Sequence, residues 1–479
     1  MTLTLYNSLT RSLEPFVPIH RGTGQDGKDE ARVYTCGPTV YNYQHIGNMR
    51  AFIFADTLGR VLRWQGYDLT HIINITDVGH LTSDADAGED KMEKAAAARG
   101  ASIWDIAVHY THAFKRDVAR LNITPPAEWT VATEYVPQMI EFARAIEGDC
   151  YALDTGLYFD TSKVPNYGAL ARAVSDEGES RIDPVSGKRN PADFAIWRKS
   201  PPGEQRQMEW DSPWGRGAPG WHLECSVMSR AKLGHPFDIH TGGIDHREIH
   251  HPNEIAQNQA HCGCDDPGAR IWMHNNFLVD RGGKMSKSTG DFLTLQVLVD
   301  AGVHPLAYRM MCLQAHYRSE LEFTWDNLGA ALTRLKRLVQ GVEKLRDRFA
   351  AEPRGSLDVM EVEQAKTAVS DDLNTAKALV LLETVVGGKG HAGDRYTAVR
   401  KIDRALGLRL AMITRDELRV RPRDATIEED MIEAKLAERR DARAAKDFPR
   451  SDAIRDELAA AGVDVMDGDP LGWEWKLSF

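Results

Sequence analysis

The sequence predicts an α/β protein built around a doubly wound parallel sheet, and three stretches near its N-terminus support this fold. Residues 31–37 read as a short strand that ends in Gly-Pro. From about residue 45 to residue 65, apolar side chains recur at steps of three and four, and Gly66 then supplies a helix stop. Residues 68–76 form an apolar run suited to a buried parallel strand. Strand, helix and strand in this order open a doubly wound fold.

A chain of 479 residues is too long for one compact core, so several modules are expected. The α/β pattern breaks near Pro125, returns with a strand at 237–241, and gives way to helical patterns from about residue 305. An arginine-rich stretch, 419–426, reads as a linker. We divide the chain into a sheet domain in two halves (1–120 and 216–275), an insertion (121–215), a region that follows the sheet (276–330), a helical bundle (331–415) and a small C-terminal module (425–479).

Composition narrows the class of protein only in part. Apolar residues make up 42% and charged residues 27% of the chain. No apolar stretch is long enough to span a membrane, and the N-terminal residues lack the apolar segment that directs secretion. A cytoplasmic protein without membrane attachment is therefore expected. The net charge of −11 argues weakly against nucleic-acid binding, yet local basic patches on an acidic body can still bind RNA.

Six cysteines are too few and too irregularly spaced for a disulfide framework. Cys150 and Cys312 are expected to be buried small hydrophobic residues. Cys262 and Cys264 form a Cys-x-Cys pair with no second pair at zinc-knuckle spacing, and the sequence assigns them no role.

A first candidate motif, His45-Ile-Gly-Asn48, stands where the first predicted strand leads into the first predicted helix. Backbone N–H groups at a helix N-terminus attract anions, and Gly47 lets a ligand approach the backbone closely. A phosphate group could bind there. Four residues are a weak signal, and alone they fit an ordinary helix start equally well.

A second motif, residues 284–288 (Lys-Met-Ser-Lys-Ser), places two lysines in a loop flanked by glycines. Cations on a mobile loop can close on the negative charge that develops on a departing pyrophosphate. Most lysine-rich loops are simply solvated surface loops. This one lies about 240 residues after the first motif, and the presence of both motifs in one chain makes a simple surface loop improbable.

Together the two motifs resemble the His-Ile-Gly-His and Lys-Met-Ser-Lys-Ser signatures of class I aminoacyl-tRNA synthetases. The second is matched at every position, and the first has Asn48 in place of the final histidine, as is common in the cysteinyl-tRNA synthetase family. Further stretches resemble that family in the family's order over nearly the whole chain. They are residues 34–41, 188–197, 220–226, 237–243, 250–257, 371–375 and 446–455.

The resemblance implies a zinc site formed by Cys36, Cys225, His250 and Glu254, with the substrate thiolate as an added ligand. Two thiols, an imidazole and a carboxylate are a plausible zinc shell, although each residue alone is more often structural and their spacing identifies no site. Zinc prefers a thiolate to a hydroxyl, whereas a pocket that judges shape alone separates cysteine from serine poorly. A domain that edits mischarged tRNA should then be unnecessary.

The resemblance also implies the remaining roles, and a Rossmann-type catalytic domain to carry them. The expected partners are ATP with Mg²⁺, L-cysteine and tRNA(Cys), and a monomer is expected. The implied catalytic residues are His45, Asn48, Lys284 and Lys287. The implied ATP-binding residues are His45, Gly47, Asn48, Gly243, Asp245, Lys284, Ser286 and Lys287. The implied residues for the amino acid are Trp221, Cys36 and Thr76.

At the C-terminus the resemblance identifies residues 276–330 as a tRNA stem-contact region and 425–479 as an anticodon-binding module. Arg443, Asp452 and Asp467 occupy positions that the family motif associates with the anticodon. The module also carries a locally basic helical surface, in which cations would meet phosphates while polar groups read unstacked bases. This surface comprises Arg439, Arg440, Arg443, Lys446, Arg450 and Arg455.

Two departures from the family pattern lead to their own expectations. Pro252 replaces a glutamate, and because proline suits only the first turn of a helix, we expect His250 to lie just before the helix and Glu254 within it. A simple helical pair of these residues at i and i+4 is then doubtful. Residues 77–91 form a longer and more acidic loop than usual, read as a solvated loop.

Two alternatives remain open at this point. A ligase resembling mycothiol biosynthesis enzymes passes activated cysteine to an amino sugar, but its family lacks a module like residues 425–479. A catalytically silent paralogue that binds RNA would not need the intact 284–288 motif or a complete candidate zinc set.

Overall fold

The computed structural model describes residues 2–78, 91–171, 187–201, 203, 206–279, 293–351 and 360–477. Both the 284–288 motif and most of the acidic 77–91 loop lie outside these residues. Within the part of the chain that is described, no helix is long and apolar enough to cross a membrane.

The central sheet of the described chain has five strands, all parallel, in the order β11-β10-β3-β4-β5. The strands of this sheet are β3 (Glu30–Thr35), β4 (Asp68–Ile75), β5 (Glu128–Val131), β10 (Phe237–Gly243) and β11 (Ala269–Asn275). The strands predicted at 31–37, 68–76 and 237–241 are confirmed as β3, β4 and β10.

Both faces of the sheet are buried, as the continuous apolar runs predicted. On β4, Ile73 and Ile75 pack into one hydrophobic cluster, whereas Ile72 packs into a second cluster on the opposite face. Successive side chains of a strand point to opposite faces, so an uninterrupted apolar run supplies both clusters. This pattern is the reason why a doubly wound arrangement forms.

Helices cover both faces of the sheet and build the rest of the molecule. The predicted helix at 45–65 is confirmed as α1 (Ile46–Gln65), which ends at Gly66 with φ of 100°, a left-handed conformation that glycine adopts readily. The next helices along the chain are α2 (Lys91–Arg99), α3 (Ile103–Arg120), α4 (Val136–Ala145), α5 (Trp221–Leu233), α6 (His250–Cys262) and α7 (Leu295–Asp300).

A small antiparallel sheet, of order β6-β7-β8-β9 among the described residues, interrupts the parallel sheet domain. Its strands are β6 (Cys150–Leu153), β7 (Gly156–Phe159), β8 (Phe194–Lys199) and β9 (Gly217–Pro219). The parallel strand β5 lies inside the 121–215 range that the sequence assigned to the insertion. We therefore propose that the insertion begins after Val131.

Short strand pairs flank the two sheets. Near the N-terminus, β1 (Thr4–Asn7) and β2 (Ser12–Pro15) pair in antiparallel fashion. On either side of residues 280–292, β12 (Leu278–Val279) pairs in parallel with β13 (Leu321–Glu322).

The helices predicted at 331–415 are α9 (Trp325–Ala351), α10 (Met360–Ser370), α11 (Thr375–Gly387) and α12 (Ala392–Leu406). We propose to include α8 (Pro305–Leu313) in the same bundle, although the sequence assigned it to the 276–330 region. The bundle is tied to the parallel-sheet domain through Arg309 on α8, which is fully buried. Its guanidinium bonds the Asp56 carboxylate of α1 at 2.6 Å and the Leu406 carbonyl at the end of α12 at 2.7 Å. One side chain therefore joins three helices.

The C-terminal module contains α13 (Glu429–Ala444), α14 (Phe448–Ala460) and the antiparallel pair β14 (Val463–Val465) and β15 (Trp473–Trp475). It has its own hydrophobic cluster, which includes Ile432, Leu458 and Trp473. Arg415, in the segment before the module, bonds the Asp469 carboxylate at 2.7 Å, and so anchors the module to the end of the bundle.

Candidate active site and metal centre

A cavity of about 440 Å³ opens beyond the carboxyl ends of the parallel strands, where doubly wound folds bind ligands. It brings together most of the residues to which the sequence assigned a role in the reaction. The predicted residues that line it are Cys36, His45, Gly47, Asn48, Thr76, Trp221, Cys225, Gly243, Asp245 and His250.

The four predicted zinc ligands lie together and are all buried; Cys36, Cys225 and His250 line this cavity, and Glu254 lies next to them. Their ligand atoms lie within 4.8 Å of one another. Cys36 follows β3 directly, and its Sγ is 3.9 Å from Sγ of Cys225 on the first turns of α5. His250 Nε2 and the Glu254 carboxylate, both from α6, are 3.1 Å apart. The donor set therefore fits a borderline-soft dication such as zinc.

The expectation for α6 was wrong in one respect. The helix begins at His250, so His250 and Glu254 do form an i, i+4 pair on one helix face. Pro252 lies in the first turn, as predicted, and a proline is tolerated there because the first N–H groups of a helix have no intrahelical acceptor. A first-turn proline therefore does not exclude the residues before it from the helix.

The four candidate ligands differ in protonation. Burial, followed by the neighbouring Cys225 thiol, raises the pKa of Cys36 well above its usual value. The hydrogen bond from Cys36 is the largest influence on Cys225 and, with His250, lowers the pKa of the Cys225 thiol to about 6. Burial opposes ionisation of Glu254, but His240 and His250 together lower its pKa to about 2. Burial lowers the pKa of His250, but Cys225 and Glu254 outweigh it and raise that pKa to about 10, so a dication that binds here displaces protons from His250 and Cys36.

A second layer of histidines surrounds these four residues, and the sequence did not predict it. His240 Nε2, on β10, is 3.0 Å from the Glu254 carboxylate, and His222 Nδ1 is 2.9 Å from Nδ1 of His250. His251 Nε2 approaches the Cys36 sulfur at 3.3 Å. The adjacent His-His pair at 250–251 and the histidine within 237–243 were the available signals, but spacing alone does not show which histidines face one centre.

Because of this layer, a second group of four overlaps the first. Cys36 and Glu254 belong to both groups. The other two members are Cys225 and His250 in the first group, and His240 and His251 in the second. His251 Nδ1 is engaged at 2.8 Å with His274, whose other nitrogen lies 2.9 Å from the Ser8 hydroxyl.

The first motif forms the N-terminus of α1, as predicted. His45 is the N-cap residue, and its Nδ1 accepts a hydrogen bond from the Asn48 backbone N–H at 3.2 Å. The Asn48 side-chain amide donates to Gln44 Oε1 at 2.7 Å. Gln44 thus orients Asn48 and is a further site residue that the sequence did not reveal.

Gly47 allows the His45 ring to cap the helix. A Cβ at this position would lie 2.9 Å from His45 Nδ1 and 3.0 Å from its Cε1, so the ring would have to move. For Gly47→Ala we expect ATP–pyrophosphate exchange to fall about 10–100-fold, because small displacements of positioning groups are costly. Thermal stability should change little, because the higher helix propensity of alanine, about 1 kcal/mol, offsets a weakened N-cap that is worth about as much. Gly59→Ala, in the same helix and outside the cavity lining, is the control and should retain activity; equal losses would contradict the assignment.

The predicted residues for the amino acid lie next to the metal-ligand cluster. The Trp221 ring, at the start of α5, packs 4.4 Å from the His250 ring between centroids. Thr76, just after β4, donates its hydroxyl proton to Glu224 at 3.0 Å. Thr76 therefore has a structural bond in addition to lining the cavity.

The predicted anticodon residues are brought together only in part. Asp467 accepts two hydrogen bonds from Arg439, at 2.6 and 2.9 Å, and one from Arg443 at 3.0 Å. Asp452 lies exposed on α14. The hydrogen bond to Asp467 is the largest influence on Arg439 and raises its pKa; burial opposes this effect, and the charge of Asp452 adds to it. Arg439 is buried and was expected to be part of the open basic surface. That surface is less basic than expected, because Arg450 is paired with Glu438 at 2.5 Å.

The fold is that of class I aminoacyl-tRNA synthetases. A putative arginyl-tRNA synthetase from Campylobacter jejuni superimposes with a TM-score of 0.52 at 14% identity, covering 84% of this chain and 95% of that one. A methionyl-tRNA synthetase of Mycobacterium tuberculosis bound by methionyl-adenylate gives a TM-score of 0.51 at 14% identity, covering 80% and 90%. At this identity the likeness shows the fold alone.

The sequence then defines the particular family. A model of the class I (C) tRNA synthetase catalytic domain matches residues 24–333, and a model of the cysteinyl-tRNA ligase anticodon binding domain matches residues 429–470. A cysteine–tRNA ligase of Novosphingobium aromaticivorans is 66% identical over 99% of this chain and 97% of its own length. One of Zymomonas mobilis is 52% identical over 98% and 97%. The chain belongs to the cysteine–tRNA ligase family.

Proposed function

We propose that this enzyme activates L-cysteine with ATP and transfers the cysteinyl group to the 3′ end of tRNA(Cys). One observation carries the proposal: a buried set of two thiols, an imidazole and a carboxylate opens into the same cavity as the His45–Asn48 helix start. The first feature suits a thiol substrate, and the second suits the phosphates of a nucleotide.

We assign the metal to Cys36, Cys225, His250 and Glu254, and the other histidines to a supporting layer. Metal-bound histidines usually place their second ring nitrogen against a polar partner, and His250 does so against His222. His251 has the same arrangement, with Nδ1 against His274 and Nε2 directed to the Cys36 sulfur, so this criterion alone does not separate the two histidines. The cavity separates them, because Cys225 and His250 line it whereas His240 and His251 are not among its lining residues. His240 holds the Glu254 carboxylate in place.

Zinc bound there would supply coordination of the substrate thiolate and so favour cysteine over serine. The chain's own residues do the rest of the work. The packed rings of Trp221 and His250 form one wall of the site for the amino acid. This wall would hold the cysteine so that the carboxylate of the cysteine can attack the ATP α-phosphate. His45 and Asn48, at the positive end of α1, support the phosphates, with Mg²⁺ accompanying ATP.

We assign stabilisation of the leaving pyrophosphate to the lysines of residues 284–288. The segment lies outside the described residues, but the chain on either side of it is anchored at the first motif. Leu278 lines the cavity, and the Leu293 carbonyl accepts a hydrogen bond from the Ile46 N–H at 2.9 Å. Leu278 and Leu293, the described residues on the two sides of this segment, therefore both lie beside the site where the phosphates would bind.

Lys287→Ala is expected to lower the rate of cysteine activation about 10²–10³-fold and to change cysteine affinity little, because the lysine acts on charge that develops in the transition state. Single-turnover adenylate formation and equilibrium cysteine binding measure the two quantities separately. Equal losses in rate and affinity would contradict this role.

Arg443→Gln is expected to raise KM for tRNA about tenfold while cysteine-dependent ATP–pyrophosphate exchange stays unchanged. The side chain is half exposed and bonds Asp467, so it can offer its free donors to RNA. Arg450→Gln is the matched control, because that arginine is already paired with Glu438 and Glu457, and its effect should be less than about twofold. A fall in exchange with Arg443→Gln would place the residue outside the anticodon surface.

Cysteine-dependent ATP–pyrophosphate exchange, with serine as the competitor, tests the first half of the reaction. Exchange that depends on cysteine and persists in excess serine supports activation and thiol selection. Exchange without transfer to tRNA would indicate another acceptor, such as an amino sugar. The absence of exchange would indicate an RNA-binding paralogue and contradict the proposed function.

A further inference from the structure

A second cluster of soft ligands lies near the amino ends of strands β10 and β11, whereas the active site lies at the carboxyl ends of the parallel strands. It contains His235, in the loop before β10, and Cys262 and Cys264, at the end of α6 and just beyond it. One ring nitrogen of His235 and the two sulfur atoms lie within 4.8 Å of one another. Phe237 and Ala269, which begin the two adjacent strands, are paired neighbours, so the sheet itself brings the two loops together.

The two clusters are separate, although one helix carries ligands of both. The first turn of α6 provides His250 and Glu254, and its last residue is Cys262. The twelve residue steps from His250 to Cys262 correspond to about 18 Å of helix. A single ion therefore cannot serve both clusters.

His235 gives the second cluster an unsatisfied donor atom. Its side chain is only 10% exposed, and among the described residues its buried Nε2 has no hydrogen-bond partner. A buried ring nitrogen without a partner is costly and points to a ligand.

Asp266 lies next to His235 but outside the group of mutually close ligand atoms. Its Oδ1 is 3.8 Å from His235 Nε2 and is held by the Gly268 N–H at 2.8 Å. The cluster itself therefore offers two thiolates and an imidazole. Such a set suits a borderline-soft dication, whose fourth ligand would be water or a carboxylate.

We propose that Cys262, Cys264 and His235 form a second Zn²⁺ site, open only when the two cysteines are reduced. The sulfurs are joined as a disulfide in this structure. A dithiol or phosphine reductant transfers two electrons to the disulfide, the S–S bond breaks, two protons are taken up, and the reductant is oxidised. Zn²⁺ then replaces both thiol protons, which are released to solvent. Cys264 is exposed, so reductant and metal can reach the pair.

The test is the zinc content of the full-length protein in two redox states. Enzyme loaded with zinc at the active site is either reduced with a phosphine or mildly oxidised, titrated with Zn²⁺ against a chromophoric chelator, and dialysed. The reduced protein should hold about one more equivalent of Zn²⁺ per chain than the oxidised protein. Equal content in the two states would overturn the proposal without any reliance on a variant.

Variants locate the extra equivalent and separate it from the active site. Cys262→Ser/Cys264→Ser should hold no additional Zn²⁺ even when it is treated with the reductant, and should keep cysteine-dependent exchange. Cys150→Ser is the control, and it should keep both the additional Zn²⁺ in the reduced state and the exchange. His235→Ala should lower the affinity of the reduced protein for the additional Zn²⁺ at least about tenfold. Retention of the extra equivalent by the double variant would refute the site. Loss of exchange in Cys225→Ser with the extra equivalent intact would show that the two metal assignments are independent.

Discussion

Cys225→Ser is expected to abolish zinc binding at the active site and to lower kcat/KM for cysteine activation at least about a thousandfold, or about 4 kcal/mol. The substitution replaces a buried sulfur whose pKa is lowered to about 6, and therefore a thiolate at neutral pH, by a hydroxyl that stays protonated. Its partner Cys36, 3.9 Å away, would lose the neighbouring ligand. Metal analysis and ATP–pyrophosphate exchange on the same preparation measure both effects.

Cys150→Ser provides the matched control for this substitution. Cys150 is half-buried at the start of β6, belongs to none of the three ligand groups, and its thiol donates to the Ile146 carbonyl at 3.3 Å. Zinc content and activity should both be unchanged in this variant. A Cys225→Ser enzyme that keeps its zinc and its activity would contradict the assigned ligand set.

Arg309→Met is expected to destabilise the protein by about 4 kcal/mol and to lower its apparent Tm by about 5–10 °C. The guanidinium is fully buried, and besides Asp56 it satisfies the carbonyls of Leu121, Asn122 and Leu406. Methionine fills a similar volume but leaves three carbonyls without this donor. It also removes one of the two arginines that balance the charge of the buried Asp56 carboxylate. Thermal unfolding monitored by circular dichroism measures the effect.

The control for Arg309 is Arg334→Met, which removes a surface ion pair. Arg334 bonds the Glu383 carboxylate on α11 at 2.6 and 2.9 Å, but both side chains are partly exposed, so the loss should stay below about 1 kcal/mol. If the two variants melt at the same temperature, the buried pair does not hold α8 to α1.

Asp56 adds a pH dependence to the same contact. Burial raises its pKa, but Arg309 and Arg60 outweigh this effect and the folded-state pKa is lower than usual. The stabilisation is therefore present above the unfolded-state pKa of about 4 and is lost as the pH falls through the folded value. In Arg309→Met this loss of stability on acidification should be smaller than in the parent.

The sequence predicted the catalytic core well because local patterns there have one structural solution. The apolar run at 68–76 could only be buried on both faces, and the stop at Gly66 required a left-handed residue that glycine supplies. Strand β5 was missed because four residues, Glu128–Val131, are too few to show a period, and their pairing with β4 is a long-range property.

The metal-ligand set was predicted through family resemblance, and geometry places its members together. Cys36 and Cys225 are 189 residues apart in sequence, so no spacing rule could join them. The supporting histidines were missed for the same reason, since His240 and His274 reach the centre from different strands. The first-turn position of Pro252 was predicted correctly, and the error lay in starting the helix after His250, whereas the helix begins at His250 and the proline is its third residue.

The most direct test of the central claim is transfer of labelled cysteine to a tRNA transcript with the GCA anticodon, in the presence of ATP, Mg²⁺ and excess serine. We predict that cysteine is joined to the tRNA, that serine neither competes nor is itself joined, and that Cys225→Ser fails to charge while Cys150→Ser charges normally. Charging with serine at a comparable rate, or charging by Cys225→Ser at the parent rate, would contradict selection of the substrate thiol at the Cys36–Cys225 centre.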